Sequence, residues 1–250
     1  MIDSHAHLIW ENFDLDRDEI IERAFNIGIK AFIHPCVELK DLPQMRGLQK
    51  KYNNLFICAG THPCHANDFS KEEVEQVFKI NKIDFIAIGE TGLDYYHKDC
   101  MPEIQKKVFK EYCILAKELN LPLIIHCRDA FEDVLNIIKQ TGVSKGVMHC
   151  YTGNAEYSAK FWELGFYTSF SGCLTFKNAK ELREEAKKIP LERVLIETDC
   201  PFLAPQIYRG KRNEPAFLIE VNKTLAEIHN IDEKRCEEIT EYNTKELFKI

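Results

Sequence analysis

The chain has 250 residues, of which 45% are hydrophobic and 11% aromatic, and its formal net charge is −7. The apolar content suffices for a core, which excludes a disordered chain, and the acidic balance argues against a surface that binds nucleic acid throughout. The sequence has no run of about 18 apolar residues and no secretory signal pattern, and its ten cysteines form no CxxC pair. We therefore expect no membrane span, reduced thiols and a cytoplasmic location.

Short apolar segments alternate with longer amphipathic segments along the whole chain. The apolar segments predict strands buried on both faces, as in a parallel sheet. These strands cover 1–5, 31–37, 55–60, 85–90, 121–127, 145–150, 166–172 and 193–199. The amphipathic segments predict helices over 15–27, 39–51, 71–79, 102–119, 130–140, 155–164 and 178–188, and after a loop over 200–214 come two more, 215–229 and 232–248.

Eight strands that alternate with helices predict an α/β fold. We expect a single (β/α)8 TIM barrel with an additional C-terminal helix, forming one domain over residues 1–250. A dinucleotide-binding fold would need a glycine-rich turn after the first strand, and His5, Ala6 and His7 stand there instead. The sequence also lacks a P-loop, so we expect no organic cofactor.

Reactive side chains gather where the predicted strands end, which is where parallel barrels build their active sites. Six of the nine histidines lie at such ends, together with three carboxylates. These residues are His5, His7, His34, His62, His126, His149, Glu90, Glu197 and Asp199. Four imidazoles and two carboxylates supply enough ligands for two adjoining divalent sites, and the nitrogen and oxygen set suits Zn, Mn, Fe or Co, whereas Mg prefers oxygen ligands.

Spacing by two residues predicts which of these side chains act together, because such residues point to the same side of a strand. His5 and His7 are expected to hold one cation. Asp3 is expected to accept a hydrogen bond from a ligand imidazole, and Glu197 to lie one layer below Asp199.

Basic residues after the eighth strand are candidates for substrate contact. Arg209, Lys211 and Arg212 follow it at a position where barrels often bind phosphate, although a solvated loop would have the same composition. Arg128 is expected either to contact phosphate or to pair with a neighbouring carboxylate. The alternatives for His62 are substrate contact and turn formation before a proline, and for Tyr151 they are base stacking and packing.

Eight motifs together carry a resemblance to a known family. They are DSHAHL (3–8), GTHP (60–63), IGETGLDYY (88–96), IIHCRDA (124–130), MHCYTG (148–153), SFSG (169–172), ETDCPFLAP (197–205) and RGKRNEP (209–215). In this combination and order the chain resembles the TatD family of metal-dependent hydrolases over its whole length. The resemblance implies two divalent ions, Zn, Mg or Mn, held by His5, His7, Glu90, His126, His149 and Asp199.

The resemblance also implies an activity. Members of the family are reported as DNases, often 3′-to-5′ exonucleases, and some related proteins deacylate mischarged tRNA. We therefore expect a monomeric hydrolase acting on DNA or another phosphodiester. A water between two metals would attack phosphorus, with Glu90 bridging the metals and Asp199 as general base.

Two alternatives remain at this point. A carbonyl hydrolase, such as a D-aminoacyl-tRNA deacylase, an amidase or a lactonase, would use the same ligand set. A barrel that binds metal without catalysis is the other alternative, and the complete ligand set argues against it because a structural zinc site needs only four closed ligands.

Overall fold

A computed structural model of the chain describes residues 1–80 and 85–250. Eight parallel strands occur in the predicted order, each shorter than or close to its predicted length. They are β1 (Ile2–Asp3), β2 (Ala31–His34), β3 (Leu55–Ile57), β4 (Ile88–Asp94), β5 (Leu123–Arg128), β6 (Gly146–Met148), β7 (Phe166–Phe170) and β8 (Val194–Ile196). Parallel ladders join β1, β2 and β3 in one group and β4 through β8 in another, always between neighbours in sequence.

Backbone hydrogen bonds connect the two groups of strands at both seams. Between β3 and β4, the Gly89 N–H donates to the Ala59 carbonyl at 2.9 Å. Between β8 and β1, the Ser4 N–H donates to the Ile196 carbonyl at 3.1 Å. The strands therefore close into the predicted (β/α)8 barrel, and all their carboxyl ends lie at one end of it.

Nine α-helices lie among the described residues. They are α1 (Arg17–Asn26), α2 (Leu42–Lys51), α3 (Lys71–Glu75), α4 (Pro102–Leu119), α5 (Phe131–Thr141), α6 (Ala155–Glu163), α7 (Lys180–Lys188), α8 (Leu218–His229) and α9 (Glu233–Phe248). The side chain of Ser70 caps α3 by accepting from the Glu73 N–H, and α3 passes into a π-helical turn, Gln76–Ile80. The predicted additional C-terminal helix is α9, which packs on α8 and on β8.

Within the two described ranges, no helix combines the length and the apolar composition that crossing a bilayer would require.

The interior of the barrel holds an apolar cluster that is separate from the main hydrophobic core. Ile124 of β5, Val147 of β6 and Leu195 of β8 belong to this cluster, which Leu247 and Phe248 of α9 join. Because alternate residues of a strand share a side, the residues two positions further along these three strands also project into the interior. Those residues are His126, His149 and Glu197.

The last strand ends earlier than predicted because side-chain partners replace the ladder. The predicted strand covers 193–199, whereas β8 ends at Ile196. The Thr198 N–H donates to Asp3 Oδ1 at 2.9 Å instead of to a neighbouring strand. Asp199 then adopts a φ of 55°, a conformation that aspartate tolerates better than most residues and that turns the chain out of the sheet.

Candidate metal centre

Glu90 lies at the centre of the clustered side chains, and its two oxygens face two different pairs of histidines. Its Oε2 is 3.3 Å from His5 Nε2 and 3.5 Å from His7 Nε2. Its Oε1 is 2.8 Å from His149 Nε2 and 3.1 Å from His126 Nδ1. The carboxylate is only 3% exposed, so the protein holds it in place for both groups.

The close approach of two glycine backbones fixes where Glu90 stands. A Cβ on Gly60 would lie 2.7 Å from the Gly89 carbonyl carbon and 2.9 Å from the Glu90 carbonyl oxygen, which no other residue type tolerates. The GTHP turn therefore packs directly against the strand that carries Glu90. This contact explains the glycine at position 60, while a Cβ on Gly89 would lie 2.7 Å from the Ile124 Cβ on the neighbouring strand.

Asp199 completes the group around His5 and His7. Its Oδ1 is 3.5 Å from His7 Nε2 and 3.8 Å from His5 Nε2, and its N–H donates to the His5 carbonyl at 2.9 Å. Burial raises the pKa of Asp199, but the hydrogen bond to His7 and the nearby His5 and His149 outweigh it, so the pKa lies below the ordinary value. The side chain is 14% exposed, against 3% for Glu90, so Asp199 is the carboxylate nearer the solvent.

Carboxylates behind His126 and His149 determine which ring nitrogen each histidine offers. His126 donates from Nε2 to Asp94 Oδ2 at 2.9 Å, so its Nδ1 faces Glu90. His149 donates from Nδ1 to Glu197 Oε1 at 3.3 Å, so its Nε2 faces Glu90. This carboxylate–histidine arrangement orients an imidazole and raises its basicity toward a metal. The predicted role of Glu197, one layer below Asp199, agrees with this contact.

Asp3 does not make the contact that the sequence predicts. Its carboxylate accepts from the Thr198 hydroxyl at 2.6 Å, from the Thr198 N–H and from the backbone N–H of His5, not from an imidazole. The reason is geometric: Ile2 belongs to the interior cluster, so Asp3, the next residue of β1, points to the other side of the strand. Asp3 ties the first strand to the loop after β8.

Asp94 is the carboxylate that accepts a hydrogen bond from a ligand imidazole, the role predicted for Asp3. Asp94 was not identified from the sequence. It is fully buried and accepts from two imidazoles, since His97 Nδ1 also donates to Oδ2 at 2.8 Å. Its pKa lies below the ordinary value because these hydrogen bonds outweigh burial, which acts in the opposite direction. The sequence contained a signal for this role: Asp94 follows Glu90 by four residues on β4, and an even spacing places two residues on the same side of a strand.

His62 lies beside Glu90 and His126, but the nitrogen that it turns toward Glu90 carries a proton. Its Nε2 is 3.6 Å from Glu90 Oε1, while its Nδ1 accepts the Cys64 N–H at 3.2 Å. Burial lowers the pKa of His62 to about 3, so the ring is neutral and its single proton sits on Nε2. His62 therefore offers an N–H donor to the centre and no lone pair.

The charge balance of the cluster suits divalent cations. Asp3, Glu90, Asp94 and Glu197 are all buried, and no lysine or arginine within residues 1–80 and 85–250 forms an ion pair with any of them. Buried carboxylates without cationic partners carry a large desolvation cost unless a cation or a proton compensates it. Mixed imidazole and carboxylate donors are ligands for Zn, Mn and Fe. The residues present therefore fit divalent metal ions.

Among the protein groups alone, protons supply part of that compensation. Burial lowers the pKa of His149, yet Glu90 and Glu197 raise it more, and the result lies well above the ordinary value. The pKa of His126 is also raised, because its hydrogen bonds to Asp94 and Glu90 outweigh burial. Divalent ions and protons would therefore compete for these imidazoles.

Three of the predicted substrate contacts lie at the surface near this centre. Arg128 is exposed at the end of β5, two residues beyond His126, with its guanidinium 4.3 Å from the centre of the Tyr96 ring. Arg209 and Lys211 are exposed and line a cavity of about 530 Å³ formed mainly by the loop after β8.

Arg212 and Tyr151, the two remaining predicted substrate contacts, make structural contacts within the protein. The Arg212 guanidinium pairs with both oxygens of Asp16, at 2.7 and 2.6 Å, and donates to the Asn12 carbonyl. Tyr151 is 2% exposed, and its hydroxyl donates to the Asn154 carbonyl at 2.5 Å. Both side chains are therefore engaged within the protein, Arg212 by Asp16 and Asn12 and Tyr151 by Asn154.

The chain is similar to known proteins over its whole length. Residues 2–249 match the family model described as TatD related DNase. The chain is 41% identical to the uncharacterized metal-dependent hydrolase YabD of Bacillus subtilis, over 100% of this chain and 99% of YabD. It is 31% identical to the 3′-5′ ssDNA/RNA exonuclease TatD of Shigella flexneri, over 100% of this chain and 99% of that protein.

A solved structure has the same fold over the whole chain. The crystal structure of YJJV, a TatD homologue from Escherichia coli K12, superposes with a TM-score of 0.94 at 27% identity, covering 100% of this chain and 98% of YJJV. The chain therefore belongs to the TatD family of metal-dependent hydrolases.

Proposed function

We propose that the chain is a two-metal phosphodiesterase that removes nucleotides from the 3′ ends of DNA. The observation that carries the proposal is the position of Glu90, whose Oε2 faces His5 and His7 while its Oε1 faces His126 and His149. One carboxylate between two pairs of imidazoles is the arrangement of a bridging ligand. His5, His7 and Asp199 would hold one ion, and His126 and His149 the other.

Divalent ions, when bound, supply Lewis acidity that polarises phosphoryl oxygens and acidifies water. The chain's own residues supply the remaining functions. Asp199 is the most suitable general base, because its carboxylate is more exposed than that of Glu90 and can pass a proton to solvent. The Nε2 of His62 lies 3.6 Å from Glu90 Oε1, so its N–H stands beside the centre as a neutral donor for negative charge that develops on a phosphoryl oxygen.

The substrate class is supported by charge and by similarity. Arg209 and Lys211 supply local positive charge in the loop after β8, as binding of a polyanion requires. The relative from Shigella flexneri that is 31% identical is named as a 3′-5′ ssDNA/RNA exonuclease. We further propose that the enzyme acts as a one-domain monomer in the cytoplasm, where its ten free thiols would stay reduced.

A panel of substrates tests the proposal. The protein is incubated with end-labelled single-stranded DNA, mischarged tRNA and simple esters or lactones, each with Mg, Mn or Zn. Stepwise shortening from the 3′ end is the expected result. Deacylation or ester cleavage without shortening would replace the proposal with a carbonyl hydrolase, and tight metal binding without any turnover would refute catalysis.

A further inference from the structure

Two aromatic rings lead from the metal centre to the cavity beside it. The ring of Trp10 is 6.0 Å from that of His7, and the ring of Phe202 is 5.1 Å from that of Trp10 in an edge-on contact. Trp10 is half-buried, whereas Phe202 is 44% exposed, which is high for a phenylalanine. A partly solvated aromatic pair at the edge of a site offers a surface on which a flat apolar group can stack.

Phe202 also lines the cavity that contains the unpaired basic residues. That cavity measures about 530 Å³, within the range of roughly 300–1,000 Å³ that is usual for small-ligand pockets. Arg209 and Lys211 line it as well, and neither forms an ion pair with any residue in 1–80 or 85–250. The Arg209 guanidinium rests 4.1 Å from the centre of the Phe176 ring, so it is held in place without losing its charge.

From these contacts we infer that Trp10 and Phe202 form a stacking platform for the terminal base of a single-stranded nucleic acid. The inference rests on the proposed function and specifies its substrate. A phosphodiester held between His7 and Glu90 lies one ring contact from Trp10, so the neighbouring base reaches the platform. Arg209 and Lys211 then each bind one phosphate on the other side of that nucleotide.

The platform selects unpaired ends. The terminal base of a duplex is held by its paired partner and by the base beneath it, so a single-stranded or frayed end places its base on Phe202 at a lower cost. Because every base has a π-face, stacking of this kind tolerates any sequence. The chain therefore favours single strands over duplexes through the ring of Phe202 and not through base-edge hydrogen bonds.

Binding of a phosphorothioate hexathymidylate, which resists hydrolysis, tests the platform. The reporter is the fluorescence of Trp10 in a Trp162→Phe background, since the chain has only two tryptophans. Phe202→Ala is expected to weaken binding roughly 5- to 150-fold, the range for loss of one base–aromatic stack. Phe202→Tyr keeps an aromatic ring without adding a second tryptophan, and it is expected to bind within about 3-fold of the parent. Tyr242→Ala, which removes a ring that is 64% exposed on α9, is the matched control and is expected to change nothing.

An oligonucleotide with an abasic terminal sugar separates stacking from phosphate contact. Loss of the base is expected to weaken binding to the parent protein but not to Phe202→Ala. If loss of the base weakens both proteins equally, or if Phe202→Ala binds as the parent does, the platform is refuted.

The salt dependence tests the two cations. Two phosphate contacts predict a slope of log affinity against log salt of about −1.4, and Lys211→Ala should reduce it to about −0.7. Arg212→Ala should leave the slope unchanged, because that guanidinium already pairs with Asp16. An unchanged slope in Lys211→Ala would overturn the phosphate assignment.

The two proposals fail in different ways. Stepwise cleavage of DNA by the parent, with Phe202→Ala binding equally well, refutes the platform and leaves the exonuclease intact. A parent that neither binds nor shortens single strands refutes both.

Discussion

Replacing Asp94 with asparagine should weaken binding of one metal ion while leaving the other unaffected. The Asp94 carboxylate receives N–H groups from His126 at 2.9 Å and from His97 at 2.8 Å on Oδ2, and two backbone N–H groups on Oδ1. Asparagine keeps one acceptor oxygen and turns an NH₂ group toward the other donors. At least one imidazole N–H then loses its partner.

The magnitude follows from that lost bond. A hydrogen bond to a charged group contributes about 1.5–3 kcal/mol, and removing the carboxylate behind a metal-binding histidine typically reduces metal affinity by about 10- to 100-fold. The loss should fall on the ion that His126 holds with His149. The ion between His5 and His7 should bind as before, because neither ring contacts Asp94.

Calorimetric titration of the metal-depleted protein with Mn²⁺ measures both affinities. Asp133→Asn is the matched control, since Asp133 accepts a 2.6 Å hydrogen bond from the Tyr95 hydroxyl nearby but touches none of the proposed ligands. Unchanged affinities in Asp94→Asn, or an equal loss at both sites, would refute the reasoning. Thermal unfolding of each variant establishes that the fold persists.

Three further predictions concern ligands, donors and pH. Glu90→Gln should lower kcat by at least about 100-fold and abolish binding of the second ion, because the effect of losing the bridge should exceed that of losing an outer partner; wild-type turnover would contradict this. His62→Ala should lower kcat roughly 100-fold yet keep two bound ions, whereas His126→Ala should lose one, as metal analysis of the purified variants would show. Glu241 pairs with two lysines and has a pKa lowered to about 2 from an ordinary 4.5, since these hydrogen bonds outweigh burial. Its stabilisation is complete above pH 4.5 and is lost as the pH falls toward 2, so Glu241→Gln should cost about 1 kcal/mol at pH 7 and less near pH 2 in urea unfolding.

Strand order and the interior histidines were predictable because buried parallel strands leave strong local patterns. Continuous apolar segments indicate the strands. Because Ile124 and Val147 face the barrel interior, His126 and His149, two residues further along, face it as well. These are properties of a single strand, which sequence periodicity reports directly.

Contacts between strands were harder to predict. Asp3 lies near His5 in sequence, but its carboxylate binds Thr198, which is 195 residues away. Asp94, whose partner His126 is on the next strand, was missed for the same reason. The sequence does not distinguish a buried tyrosine from an exposed one in a loop, or a paired arginine from an unpaired one. Only the tertiary structure shows that Tyr151 packs in the interior and that Arg212 forms an ion pair with Asp16.

The position of the ions is the most direct test of the account. Crystals grown with Mn²⁺ and measured at its absorption edge should show two anomalous peaks on either side of the Glu90 carboxylate. One peak should contact His5 and His7 and the other His126 and His149. A single peak, or a peak held by His5, His149 and Glu197, whose donor atoms also lie within 4.8 Å of one another, would contradict the bridging role of Glu90.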